Sequence, residues 1–132
     1  MDEKMDNNFR KYPIGDEDEF TSMSILLDST VMLDLLKMAQ NEYQTRLTNI
    51  QDGVEAKDAD KIRFAAHTLK GASGSMMAPR LSYISGMIEQ NSSDAKHIQR
   101  LFPDLRITGA KTILWWEKKT AHLLPAPQNE NA

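Results

Sequence analysis

The sequence predicts an all-α protein: an antiparallel four-helix bundle with an additional short N-terminal helix or arm. Apolar residues recur at three-, four- and seven-residue intervals over most of the chain, the period of amphipathic helices. No segment alternates at period two, and the one Asp-Gly pair, Asp52-Gly53, lies inside helical sequence rather than between strand-like runs. Residues suited to starting helices, Asp28, Asp58 and Pro79, stand just ahead of successive apolar stripes.

The first bundle helix runs from Asp28 or Ser29 to Gly53 or Ala56, with Val31, Leu35, Met38, Leu47, Ile50 and Val54 as its apolar stripe. After a tight link at Lys57-Asp58, a second helix buries Ile62, Ala65, Ala66, Leu69, Ala72 and Met76. Pro79 fits the first turn of a third helix, where its missing N–H does no harm. Leu81, Ile84 and Ile88 form the inner face of that helix, which ends near Asn91. Ile98, Leu101 and Phe102 look helical, but Pro103 must start, kink or break a helix there. Ile107, Ile113, Leu114, Trp116 and Leu123 mark a final long helix to about Leu124, on which Trp115 and Trp116 cannot both face inward.

Composition narrows the function. The 132 residues suit one domain, and the absence of cysteine excludes disulfides, thiolate metal sites and cysteine nucleophiles. A net charge of −3 gives no basic excess to suggest nucleic acid, and no apolar run is long enough to span a membrane. With no secretion signal visible, the expectation is a cytoplasmic protein. Seven acids against three bases put a charge of −4 on residues 1–22, which read as an acidic mobile arm that Phe9, Tyr12 and Phe20 can pin to the body. Residues 23–124 then form the bundle and residues 125–132 a disordered tail.

The chemically informative stretch is Ala66-His67-Thr68-Leu69-Lys70-Gly71-Ala72-Ser73-Gly74. At 100° per residue, Arg63, His67, Lys70 and Gly74 share one stripe, opposite Ile62, Leu69 and Met76. An exposed, neutral imidazole is a competent nucleophile near pH 7. A lysine three residues on can meet a phosphoryl group carried by that ring. Glycine inside a helix costs roughly 0.5–1 kcal/mol relative to alanine, so Gly71 and Gly74 on one exposed turn point to close approach by another surface. No carboxylate lies three or four residues from His67, so the expectation is that nothing activates the ring and that the chemistry comes from the partner. His97 and His122 lack such a context and read as surface residues, no histidine pair has metal-ligand spacing, and the eight methionines read as core filler.

His67-x-x-Lys70-Gly71, with Ala66 before it and Ser73 and Gly74 after it, resembles the motif of histidine-containing phosphotransfer (HPt) domains. The resemblance runs from about Val31 to Leu123 and includes Asp58-x-x-x-Ile62. It implies that His67 accepts a phosphoryl group from a receiver-domain aspartate and passes it to another response regulator. It also implies that Lys70 faces the phosphate, and that Arg63, Gly71 and Gly74 lie on the receiver interface. Such a protein is a phosphoryl carrier with no kinase activity of its own. Its partners are receiver domains and an upstream hybrid histidine kinase, the magnesium sits on the receiver, and the carrier itself needs no metal and stays monomeric. The chain departs from the family where Met77 replaces a usual second glycine. The alternative is a helical adaptor or inhibitor that binds receivers or kinases through an idle histidine. A sensor-kinase dimerisation domain is excluded because no acidic residue follows His67 and no nucleotide-binding domain is present.

Overall fold

The computed structural model describes residues 8–125. A 3₁₀ turn at Asn8–Lys11 precedes five helices: α1 Glu17–Leu26, α2 Ser29–Ala56, α3 Ala59–Ser75, α4 Pro79–Gln90 and α5 Ala95–Leu123. No strand occurs among the described residues. Each of α2 to α5 packs against the next, and α5 closes the ring against α2. With links this short, sequential neighbours run antiparallel, giving the expected four-helix bundle.

Aspartates start four of the helices. Asp16, Asp28, Asp58 and Asp94 each accept a hydrogen bond from a backbone N–H of the first turn, at 2.8–3.1 Å. The exception is α4, which starts on Pro79, the residue whose lack of an N–H makes a side-chain cap least necessary.

The expected stripe of α2 holds at Ile50, which is buried, and in part at Leu35, Leu47 and Val54, but over the first half of the helix the buried face lies one residue out of phase. Met32, Leu36, Ala39, Tyr43 and Ile50 form the core, whereas Val31 and Met38 are exposed. Apolar residues at 31, 35 and 38 and at 32, 36 and 39 have the same spacing, so periodicity establishes the helix without fixing its rotation. A contact from outside the helix sets that rotation: the Tyr43 ring lies against Gly109 of α5, where a Cβ would overlap its phenol.

Pro103 neither starts nor breaks a helix; α5 runs through it. The missing N–H deprives the Gln99 carbonyl of its partner, but Gln99 and Pro103 are both on the exposed side, where water can replace the bond. The α5 core is Ile98, Leu101, Leu105, Thr108, Thr112 and Trp116, leaving Ile107 and Leu114 outside. His97, expected at the surface, is buried in the first turn of this helix, while His122 is exposed. Of the two tryptophans, only Trp116 enters the core, donating from Nε1 to the Met76 carbonyl at 2.9 Å.

The N-terminal arm is corrected over residues 8–22. Phe9 and Phe20 are buried, and the expected boundary at residue 22 falls inside α1. The Asp16 N–H donates to the Met77 carbonyl at 2.8 Å, and Arg80 donates from Nε to the Tyr12 carbonyl at 2.7 Å. Tyr12 stacks on Tyr83, and Glu17 accepts from Trp115 while pairing with Lys119. Lys119, then Trp115, hold the Glu17 carboxyl below its ordinary range. Of the seven acids that suggested mobility, Glu17, Asp18 and Glu19 form the first turn of α1 and Asp16 caps it, positions where negative charge favours the helix dipole. Residues 1–7 and 126–132 lie outside the described residues.

Met77, at the position of the usual family glycine, is buried and has a left-handed backbone, φ 64°. The turn thus keeps a conformation that favours glycine while using the methionine side chain to fill core space.

Gly109 gives the sharpest test of this packing. Helix propensity favours alanine there by about 1 kcal/mol. The added methyl must displace the buried Tyr43 ring, and overpacking of that kind costs about 2 kcal/mol or more. Gly109→Ala should therefore lower the denaturant midpoint, and an unchanged or raised midpoint would contradict the crossing.

Candidate functional site

Ile62, Ala65, Ala66, Leu69 and Ser73 anchor α3 in the core and turn its other side outward. On that outer side the His67 side chain is 64% exposed. Arg63, one turn earlier, pairs with Asp60 and makes no hydrogen bond to the histidine. Phe64 is also exposed, with the Arg46 guanidinium 5.8 Å from its ring centre and Arg46 held by Glu42 at 2.9 Å. Asp60, Arg63, Phe64, His67 and Glu89 line an open groove of about 470 Å³.

The residue missing from the sequence reading is Glu89, on α4. One carboxylate oxygen lies 2.7 Å from His67 Nδ1 and the other 2.8 Å from Lys70 Nζ. The expectation that nothing activates His67 held for its own helix and failed for the neighbouring one. Lys70, then His67, hold the Glu89 carboxyl below its ordinary range, although partial burial opposes them. An ionised carboxylate only accepts hydrogen bonds, so Nδ1 donates to it and carries the ring proton. In the neutral ring Nε2 then holds the free lone pair.

The α3–α4 crossing makes this reach possible. Ser82, Gly86 and Glu89 follow at i, i+4 and i+7 on α4 and meet Gly74, Lys70 and His67 in antiparallel order. Ser82 Oγ donates to the Lys70 carbonyl at 2.9 Å. A Cβ on Gly86 would stand 3.2 Å from Lys70 Cδ, so the glycine leaves room for the lysine stem to lie across α4 toward Glu89. A Cβ on Gly74 would come 3.2 Å from Ser82 Oγ, which gives this glycine a packing role. Gly71 has nothing within 4 Å of such a Cβ and is open surface. The structure therefore joins His67 and Lys70 through one carboxylate, flanks them with Arg63 and Gly71, and places Gly74 against α4. Among the described residues no group of His, Asp or Glu side chains is arranged to hold a metal ion.

The family model of the Hpt domain matches residues 34–108, more than half of the chain. The chain belongs to the Hpt domain family. Its function is accordingly histidine phosphotransfer within a phosphorelay. As an Hpt domain it interacts with receiver domains and kinases, and no helix among the described residues is long and apolar enough to cross a membrane. The fold is similar to the crystal structure of histidine-containing phosphotransfer protein B from Pseudomonas aeruginosa PAO1. The TM-score is 0.75 at 21% identity, over 83% of this chain and 96% of that one. Among curated proteins no sequence matches this chain.

Because its carboxyl is lowered, Glu89 should remain ionised at pH 4.5, its ordinary value, and lose its bonds to Lys70 and His67 only on further acidification. A carboxyl-carbon NMR titration with a midpoint at or above 4.5 would contradict this. At neutral pH the ¹⁵N shifts of His67 should report one tautomer, protonated at Nδ1, and Glu89→Ala should produce a mixture of tautomers.

Proposed function

We propose that His67 is the phosphoryl acceptor, taking the group from a receiver-domain aspartyl phosphate and returning it to the aspartate of another response regulator. The observation that carries this reading is the bond from His67 Nδ1 to Glu89, which leaves Nε2 as the nucleophile on an exposed ring. The Nε2 lone pair attacks phosphorus as the bond to the aspartate oxygen breaks, and that electron pair stays on the departing carboxylate. The Nδ1 proton remains in place, so the ring becomes cationic, and the charge develops 2.7 Å from Glu89. Transfer onward reverses each step and releases a neutral ring with its proton still on Nδ1.

Lys70 is placed to exchange partners. Its ammonium, held by Glu89 before transfer, has rotatable donors that can turn to the phosphoryl oxygens once they arrive. Magnesium belongs on the receiver, where it neutralises the phosphoryl group during transfer. The phosphoryl group originates in an upstream hybrid histidine kinase, and the carrier works as a cytoplasmic monomer with its His67 face open. Arg63 and Gly71 border the approach. Gly74 serves chiefly by allowing α3 and α4 to pack closely.

A phosphorylated receiver should label the protein with an acid-labile, base-stable phosphoryl group, and His67→Gln should abolish labelling without changing helicity. Labelling that survives this substitution overturns the assignment, and receiver binding without any labelling favours the adaptor reading. Gly71→Gln should melt normally, since nothing surrounds the position, yet transfer severalfold more slowly because it intrudes on the docking face. A wild-type transfer rate would remove Gly71 from that face.

A further inference from the structure

A second depression continues the His67 face toward the N-terminal segment. Tyr12, Glu19, Gly74, Met77, Ser82 and Tyr83, with Pro79 at the edge, enclose about 270 Å³. Among the described residues its only charged lining residue is Glu19, on the acidic first turn of α1. Tyr12 and Glu19 lie outside residues 34–108, the part of the chain that the family model matches. The wall they form is fixed in place. The Pro13 carbonyl accepts from the Arg80 N–H at 3.2 Å, the Tyr12 carbonyl from Arg80 Nε at 2.7 Å, and the two tyrosine rings stack with centres 4.8 Å apart.

We infer that this depression takes a basic side chain, arginine or lysine, from the receiver domain docked on His67, and so contributes to the choice of receiver. The inference rests on the reading of His67 as acceptor. Gly74 lies seven residues along α3 from His67, about 10 Å at the usual helical rise. A standard interface covers about 800 Å² per partner, a patch of roughly 16 Å radius, so a receiver centred on His67 reaches past Gly74. The chemistry of the lining selects what enters. Aromatic walls suit an aliphatic stem or a guanidinium plane, and a carboxylate at the rim suits its charge.

The test compares docking with chemistry. Transfer to the full chain is followed over a range of concentrations of a phosphorylated receiver, and His67 is labelled separately with phosphoramidate, which is too small to reach the depression. Glu19→Lys should raise the KM for the receiver about fivefold or more with the maximal rate retained, and added salt should shrink the difference. Tyr12→Leu should also raise KM, with thermal melting checked because the residue packs on Tyr83. Phosphoramidate labelling should proceed at the wild-type rate in both. A KM within twofold of wild type for Glu19→Lys, or a lowered KM, overturns the inference while leaving His67 as acceptor. Failure of the phosphorylated receiver to label the wild-type protein at His67 at any concentration overturns the acceptor reading instead.

Discussion

One carboxylate on α4 contacts two side chains on α3, and the chemistry of the site depends on that crossing. Glu89 reaches His67 and Lys70 together because Gly86 and Gly74 let the helices run close and Ser82 ties them at the Lys70 carbonyl. A longer side chain at position 86 would lift the lysine stem off α4, and a wider helix separation would carry the carboxylate away from Nδ1. The buried faces of Leu81, Ile84 and Ile88 on one helix and of Ala65, Ala66 and Leu69 on the other hold this spacing. The core therefore sets the distances on which the surface chemistry relies.

The charge arrangement suits a carrier that must both accept and release. With His67 as the proposed acceptor, Glu89 offsets positive charge on the ring when the N–P bond forms, while the neutral, proton-bearing ring remains a good leaving group on the way out. In the same proposal Lys70 supplies charge to the phosphoryl oxygens without leaving a bare cation beforehand, since the Glu89 carboxylate holds it in the resting state. A carboxylate fixed this close to the ring also selects which nitrogen reacts, something exposure alone does not do.

Much of this was legible in the sequence, and the failures share a physical cause. Spacing and caps located the bundle helices, and the stripe of His67 and Lys70 identified the outer face of α3 on which both side chains lie. Properties set by contacts between distant segments were not legible. The rotation of α2 follows from Tyr43 meeting Gly109, the order of residues 8–22 from Arg80 and Met77, and the continuity of α5 from Pro103 lying on its wet side. Glu89 belongs to the same class, 22 residues from its histidine. One signal for it was present: Ser82, Gly86 and Glu89 form a polar and small stripe beside the apolar one of Leu81, Ile84 and Ile88.

The position of the phosphoryl group on the imidazole tests the account most directly. Heteronuclear ³¹P–¹⁵N NMR of the phosphorylated protein distinguishes the two ring nitrogens. The bond to Glu89 predicts phosphorus on Nε2 of His67 with the proton retained on Nδ1. Phosphorus on Nδ1, or on any other residue, would contradict the claim that Glu89 sets the nucleophile.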